Sequence, residues 1–174
     1  MNEIIEAIKN RRSIRKFKSD SISKETIEQI VDAGLFAASG KGTQNTMILA
    51  ITQKNLRDKL SEMNRKIGGW DSPFDPFYGA PVILVVLAKK DWPLRVYDGS
   101  LVMGNLLLAA HASGLGSIWI HRAKEEFESD EGKEILKSLG IEGEWEGIGH
   151  CALGIADCPS PAAAPRKDGR IVWA

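Results

Sequence analysis

The side chains best suited to chemistry lie in a basic segment near the start of the chain, KNRRSIRKFK at residues 9–18. This segment puts six positive charges into ten residues around one serine, Ser13, and contains no acid. Guanidinium groups bind phosphate through planar, bidentate hydrogen bonds, and a hydroxyl adds one more donor. The candidate partners are nucleic acid, a membrane surface, a targeting machine and a bound phosphate. The alternative that needs no partner is a solvated surface patch.

The composition of the whole chain narrows these candidates. The 174 residues carry 23 basic and 23 acidic side chains, and this balance argues against a nucleic-acid module or another general polyanion binder. Two cysteines without a CxxC pair favour a reduced, intracellular protein. The N-terminus has the features of neither a signal peptide nor a transit peptide, and no apolar run approaches the roughly 18 residues that span a bilayer. We therefore expect one cytoplasmic domain over residues 1–174 that binds neither nucleic acid nor a membrane.

Other motifs that carry chemistry in proteins fail here on spacing. SGKGTQN at 39–45 is not a phosphate-binding P-loop, because Lys41 is followed by Gly42 and the segment follows a predicted helix. GLGS at 114–117 lies between a helix and a strand, whereas a dinucleotide fingerprint opens a helix after a strand. The histidines and cysteines have no metal-ligand spacing, so we expect no metal site.

The basic segment is predicted to be an extended connector. Hydrophobic periodicity and capping residues predict the helices and strands that must position it. VILVVLA at 82–88 is apolar throughout and mostly β-branched, which predicts a strand buried on both faces. Ser23 is placed to cap one helix, and Asp98 to cap the nearly all-apolar helix that follows it. The other predicted elements are an opening helix with Ile4, Ile5 and Ile8 on one face, strands at 45–52, 116–120 and 147–156, helices at 54–66 and 124–140, and a loop at 68–81. Together they predict an α+β fold with a sheet between layers of helices.

Four segments, taken in order, resemble the nitroreductase family of flavin enzymes. They are RRSIRKF after the first helix, AASGKGTQN after the second, DGSLVMGNLLLAAHASGLGSIWI for the long helix and its strand, and PRK shortly after the last strand. The resemblance spans residues 4 to about 168. It implies a nitroreductase-like FMN-binding sandwich, with a central, mainly antiparallel sheet flanked by helices. It also implies an intertwined homodimer with flavin sites at the subunit interface.

The same resemblance implies a set of cofactor-binding residues. Arg11 and Ser13 match positions that bind the FMN phosphate and ribityl chain, and Arg15 matches a basic residue near the pyrimidine edge of the flavin. Arg12 is their neighbour, and Arg166 matches a phosphate-binding arginine. Ser39, Gly40 and Gln44 match a loop that reaches the flavin, partly from the other subunit. The residues matched to positions that pack against the ring are Trp119, Ile120, His121 and Arg122. Ser39 and Gly40 are equally compatible with a simple helix end, and Trp119 with a core aromatic.

The implied activity is FMN-dependent oxidoreduction. Hydride would pass from NADH or NADPH to flavin N5, and from there to a nitroaromatic, a quinone or a similar small acceptor, with ping-pong kinetics. His121 is the candidate proton donor, because imidazole groups commonly carry protons in catalysis. The alternatives are an FMN-binding protein of the same fold without turnover, or a specialised flavin reaction such as dehalogenation. Substrate preference does not carry over, because His121 and Arg122 replace a Glu-Gly pair found near the flavin in some longer members. Gly42 stands where the family's usual loop has an Asn, so the side-chain donor of that Asn is missing.

Overall fold

The computed structural model describes residues 2–174, and its elements follow the predicted order. The helices are α1 (Glu3–Asn10), α2 (Lys24–Leu35), α3 (Lys54–Gly68), α4 (Arg95–Ala112), α5 (Ala123–Glu128) and α6 (Asp130–Ser138). The strands are β1 (Thr46–Ile51), β2 (Val82–Lys89), β3 (Gly116–Ile120) and β4 (Trp145–Gly154), and a 3₁₀ turn covers Gly40–Gly42. No helix in this part of the chain is long and apolar enough to cross a membrane.

The four strands form one antiparallel sheet in the order β1-β2-β4-β3, which confirms the predicted α+β class. β2 is paired along both of its sides, and its first residue, Val82, lies opposite Leu153 of β4. The β2–β4 register shifts between Val86 and Leu87, where β4 contains an extra residue. Residues 82–88 are buried without exception, as their unbroken apolar pattern predicts.

Alternate residues of β2 face two separate hydrophobic cores. On one face of the sheet Ile83, Val85 and Leu87 pack with side chains of α3, α5 and α6, among them Leu60, Met63, Phe127, Ile135 and Leu136. On the other face Val82, Leu84 and Val86 pack with side chains of α2 and α4, among them Ile27, Ile30, Val102, Met103 and Leu106. Each such buried side chain stabilises the fold by roughly 1.5–3 kcal/mol, so β2 supports both layers of helices.

Two predictions about the helices are wrong in detail. Asp98 does not cap α4, because that helix already begins at Arg95 and Asp98 lies in its first turn. The single helix predicted over 124–140 is two helices, α5 and α6, because Ser129 leaves helical geometry with φ −69° and ψ 158°. The Ser129 hydroxyl then caps α6 by accepting a hydrogen bond from the Gly132 N–H at 3.0 Å.

Candidate functional site

The basic segment runs along β3, which is an edge strand of the sheet. The segment leaves α1 at Arg11, the C-cap residue of that helix. Ser13 then forms a parallel bridge with Ser117 of β3, and Phe17 forms an antiparallel bridge with Ala156, just after β4. Because the segment is attached at both places, it is extended, as predicted, and its side chains are held at defined positions beside the sheet.

A cavity of about 770 Å³ opens between this segment and the chain that follows β4. The C-terminal side contributes residues 161–166, and the N-terminal side contributes the end of α1 and the first part of the basic segment. Among the described residues that line it, five carry positive charge, none carries negative charge, and Ser13 adds a hydroxyl; the five are Lys9, Arg11, Arg12, Arg15 and Arg166. Such a cavity concentrates positive potential and attracts an anion.

Arg11 supplies a buried donor beside this cavity. Its Nη1 atom is buried and has no hydrogen-bond partner within residues 2–174. Burial raises the pKa of the Cys151 thiol in β4 to about 12, and the positive charge of Arg11 opposes that rise. A buried donor without an acceptor costs about 1–3 kcal/mol, and an anion bound in the cavity would remove this cost.

Two other arginines of the cavity are fixed by backbone carbonyls. Arg12 Nη1 donates to the carbonyl oxygens of Lys9 and Arg11, at 2.7 Å in each case. Arg166 Nη2 donates to the carbonyl oxygen of Ala164 at 2.9 Å. These contacts hold the guanidinium groups in place without neutralising them, because a carbonyl group carries no net charge.

Ser39 and Gln44 line a second, smaller cavity of about 260 Å³. Gln44 has a φ of 50°, and its N–H donates to Ser39 Oγ at 3.2 Å. The carboxylate of Asp98, which is only 3% exposed, accepts hydrogen bonds from the Gly40 N–H at 2.9 Å and from Trp92 Nε1 at 2.7 Å. Asp98, which the sequence pattern predicts to be a helix cap, therefore anchors the predicted site loop instead.

Trp119 of β3 and His121, the residue that follows this strand, place two rings close together. Trp119 lies against the β4 backbone at Gly149, where a Cβ atom would come within 2.2 Å of Trp119 Nε1. That indole nitrogen is buried and has no hydrogen-bond partner in the described chain. The exposed His121 ring lies 5.7 Å from the Trp119 ring, centroid to centroid. Ile120 points to the face of the sheet opposite to Trp119 and packs in the core beside α3 and α5.

Behind this turn, three fully buried polar side chains form a hydrogen-bonded network. Asn64 Nδ2 donates to Glu126 Oε1 at 2.5 Å and to the His121 carbonyl at 2.8 Å. Glu126 Oε2 lies 2.9 Å from His150 Nε2, and His150 Nδ1 lies 3.3 Å from the Ile120 carbonyl. Because a carbonyl oxygen only accepts, His150 Nδ1 carries the proton in its contact with Ile120. The contact between His150 Nε2 and the Glu126 carboxyl group requires a second proton, held by one of these two groups. The network holds two successive carbonyl groups of the turn.

Arg122, the next residue along the chain, has a left-handed backbone conformation with φ 78°. Its guanidinium carbon lies 4.5 Å from the centre of the Trp70 ring, in the loop that follows α3. The turn after β3 therefore carries an imidazole and a guanidinium on successive residues, the imidazole 5.7 Å from the Trp119 ring and the guanidinium over the Trp70 ring.

The structure distributes the sequence-predicted site residues over three places. Arg11, Arg12, Ser13, Arg15 and Arg166 line the large cavity; Ser39 and Gln44 line the small one, with Gly40 bound to Asp98; and Trp119, His121 and Arg122 lie at the end of β3, with Ile120 in the core. Sequence reasoning missed the anchor Asp98, the stacking residue Trp70 and the buried network. Asp98 was detectable in principle as the acid at the start of an otherwise apolar helix.

The family comparison covers most of the chain. A model described as the nitroreductase family matches residues 8–68 and 69–155. These two stretches contain the basic segment, the 39–45 loop, all four strands and all the helices from α2 to α6.

Individual relatives and solved structures agree with this match. A Methanothermobacter thermautotrophicus protein with the provisional name NADH dehydrogenase/NAD(P)H nitroreductase is 30% identical over 67% of this chain and 60% of its own length. The NADPH-flavin oxidoreductase of Vibrio harveyi is 30% identical over 69% of this chain and 54% of its own. The chain thus spans little more than half the length of these relatives. A nitroreductase from Desulfitobacterium hafniense, solved with bound FMN, superposes with a TM-score of 0.88 over 100% of this chain and 99% of its own, at 25% identity.

Proposed function

Because this chain belongs to the nitroreductase family, we propose that it is an FMN-dependent oxidoreductase that uses NADH or NADPH to reduce a small acceptor such as a nitroaromatic or a quinone. Relatives that carry the names NADPH-flavin oxidoreductase and FMN reductase support the reaction type. The observation that carries the proposal is the 770 Å³ cavity, which is lined by the cationic side chains of Arg11, Arg12, Arg15 and Arg166 together with Lys9 and the hydroxyl of Ser13. A phosphate monoester is the group that such a cavity fits best.

The residues around the cavity fit the phosphate end of FMN. Arg11 offers a buried donor that lacks an acceptor among residues 2–174, and Ser13 lines the same wall. Arg166 approaches from the C-terminal side, and its guanidinium is already oriented by a backbone carbonyl. We assign Arg11, Arg12, Ser13 and Arg166 to the phosphate and ribityl chain. Arg15, farther along the segment, is assigned to the pyrimidine edge, where a fixed cation favours a reduced flavin.

The turn after β3 is assigned to the isoalloxazine ring and the substrate. When bound, FMN supplies the hydride chemistry itself, and the protein supplies position and charge. Trp119 offers a flat indole ring for this purpose, and the carbonyl group of Ile120 lies 3.3 Å from His150 Nδ1. His121 is the proposed proton donor, since its exposed ring is held beside Trp119.

We further propose a homodimer in which flavin sites lie at the subunit interface. The support is apolar surface left uncovered in one chain: Ile4, Ile5 and Ile8 of α1 are 67%, 50% and 57% exposed, and Leu101 of α4 is 50% exposed. In one chain, Ser39 and Gln44 line a different cavity from the arginines. A second copy is expected to bring the Ser39–Gln44 loop of one subunit to the arginine cavity of the other.

The first experiment is to record the visible spectrum of the purified protein while FMN or FAD is added. We expect binding of one FMN per subunit in preference to FAD, with light scattering at the mass of a dimer. Absence of FMN binding would contradict the proposal.

The second experiment is to add NADH or NADPH to the FMN-loaded protein without oxygen, followed by a quinone or a nitroaromatic. We expect the flavin absorbance to bleach and then recover, with parallel double-reciprocal lines in steady-state assays. A protein that binds FMN but is reduced by neither nucleotide is a binding protein without turnover, and that result contradicts the enzymatic part of the proposal.

A further inference from the structure

Arg122 is held at both ends by the surrounding structure. At the backbone, its φ of 78° is unusual for a residue with a side chain. The carbonyl groups on either side of this conformation are engaged: that of His121 accepts from Asn64 Nδ2 at 2.8 Å, and that of Arg122 accepts from the Glu126 N–H at 3.0 Å. At the other end of the side chain, the guanidinium lies over the Trp70 ring. The cation therefore has a defined position.

The charge of Arg122 is not balanced by an acid. Within residues 2–174, no carboxylate oxygen lies within 4.0 Å of this guanidinium, whereas Arg57, Arg65 and Arg95 each form an ion pair. Trp70 covers one face of the guanidinium, and stacking of this kind leaves the N–H groups at its edge directed outward. Glu126, a buried acid four residues after Arg122, is paired with His150 and not with Arg122.

Trp70 is itself fixed, so the stacked pair is a preformed surface. Its N–H donates to the Arg65 carbonyl at 3.1 Å, and its carbonyl accepts from Arg65 Nη1 at 2.6 Å. Its ring meets the Phe74 ring edge-on with centroids 5.0 Å apart. A cation that is fixed before a ligand arrives binds more tightly, because little side-chain freedom remains to be lost.

We propose that Arg122, supported by Trp70, binds the oxyanion of a ligand that reacts at this site, a carboxylate or a phosphate. The proposal rests on the proposed function, which places the turn after β3 beside the flavin. Two sources supply this chemistry: a carboxylate on an aromatic acceptor, or the ribose phosphate that distinguishes NADPH from NADH. In both cases the planar guanidinium donates two parallel N–H groups to two oxygens of the anion.

Calorimetric titration of the oxidised, FMN-loaded protein tests this proposal without any turnover. Benzoate is compared with benzamide, and NADP⁺ with NAD⁺, so that each pair differs mainly in the anionic group. The variant is Arg122→Gln, which removes the charge and keeps polar N–H groups. The matched control is Lys124→Gln, which removes an exposed cation two residues away. Far-ultraviolet circular dichroism and the flavin spectrum check that each variant is folded.

We expect the wild-type protein to prefer the anionic member of one pair by about tenfold, the lower end of what a hydrogen bond to a charged group contributes, because Arg122 is only half-buried. Arg122→Gln should abolish that preference, and Lys124→Gln should keep it. A preference confined to benzoate identifies an acceptor carboxylate, and one confined to NADP⁺ identifies the nucleotide phosphate.

Equal affinities within both pairs in the wild-type protein overturn the proposal, and so does a preference that survives in Arg122→Gln. Failure of the proposed function looks different, because the spectrum recorded before any ligand is added would then show no bound flavin. If Arg122→Gln does not fold, the wild-type comparison in 20 mM and 500 mM salt decides instead. An anion preference that does not weaken at the higher ionic strength overturns the proposal.

Discussion

The buried Glu126–His150 pair gives the sharpest stability prediction. Both side chains are 0% exposed, and their polar atoms meet at 2.9 Å. Replacing His150 with Leu leaves the Glu126 carboxyl group in the core with Asn64 as its remaining partner. Breaking a buried pair from one side typically costs about 3–5 kcal/mol, because the other polar group stays in the core without its partner. That cost is a large part of a total stability on the order of 5–15 kcal/mol.

A double-mutant cycle separates this effect from simple loss of packing. Glu126→Leu and His150→Leu are each expected to be strongly destabilising, whereas the double variant removes both polar groups and should cost clearly less than the sum of the two. Urea unfolding followed by circular dichroism measures the free energy of unfolding of each protein. His111→Leu serves as the control, because it changes a partly exposed histidine on α4.

Two outcomes refute the reasoning about this pair. One is a cost below about 1 kcal/mol for His150→Leu, which is less than the penalty for one unsatisfied buried group. The other is additivity of the two single substitutions within about 0.5 kcal/mol, which indicates that the groups do not interact.

Two further predictions concern carboxylates. Asp98→Leu leaves the N–H groups of Gly40 and Trp92 without their acceptor and should destabilise the protein by about 3 kcal/mol in urea unfolding; a loss below about 1 kcal/mol contradicts the anchoring role. For Asp75, burial raises the carboxyl pKa, but hydrogen bonds from Arg57, Ser61 and the Gly79 N–H outweigh it, so the net pKa is lowered. Its contribution is therefore complete above the ordinary carboxyl range and is lost as pH falls through the lowered pKa. The stability difference between wild type and Asp75→Asn should be largest near pH 7 and shrink below about pH 4, and a pH-independent difference contradicts this.

Local sequence patterns were sufficient to predict the central part of the fold. A run such as 82–88, apolar at every position and mostly β-branched, has few stable places other than the middle of a covered sheet. β3 begins and ends where its pattern predicts, at Gly116 and Ile120. Opposite orientation of His150 and Cys151 also follows from strand geometry, and the two residues face different cores, one beside Phe77 and the other beside Leu84.

The site was less predictable because it depends on contacts between distant parts of the chain. Asp98 carries a good capping side chain, but its carboxylate is used by Gly40, 58 residues earlier. Glu126 lies in an acid-rich stretch typical of a solvated helix, and only packing against α3 and β4 buries it. The local sequence pattern indicates whether a segment forms a helix or a strand, whereas contacts with distant parts of the chain determine which polar residues become buried.

The central claim is that the basic cavity binds the phosphate of FMN, and Arg11→Ala tests it most directly. Affinities for FMN and for riboflavin, which lacks the phosphate, are measured by flavin fluorescence quenching in the wild type and the variant. We predict that Arg11→Ala weakens FMN binding by roughly ten- to hundredfold and changes riboflavin binding by less than about twofold. Lys18→Ala, which removes an exposed cation of the same segment, should leave both affinities unchanged. Equal losses for FMN and riboflavin in Arg11→Ala, or no loss for either, would contradict the assignment.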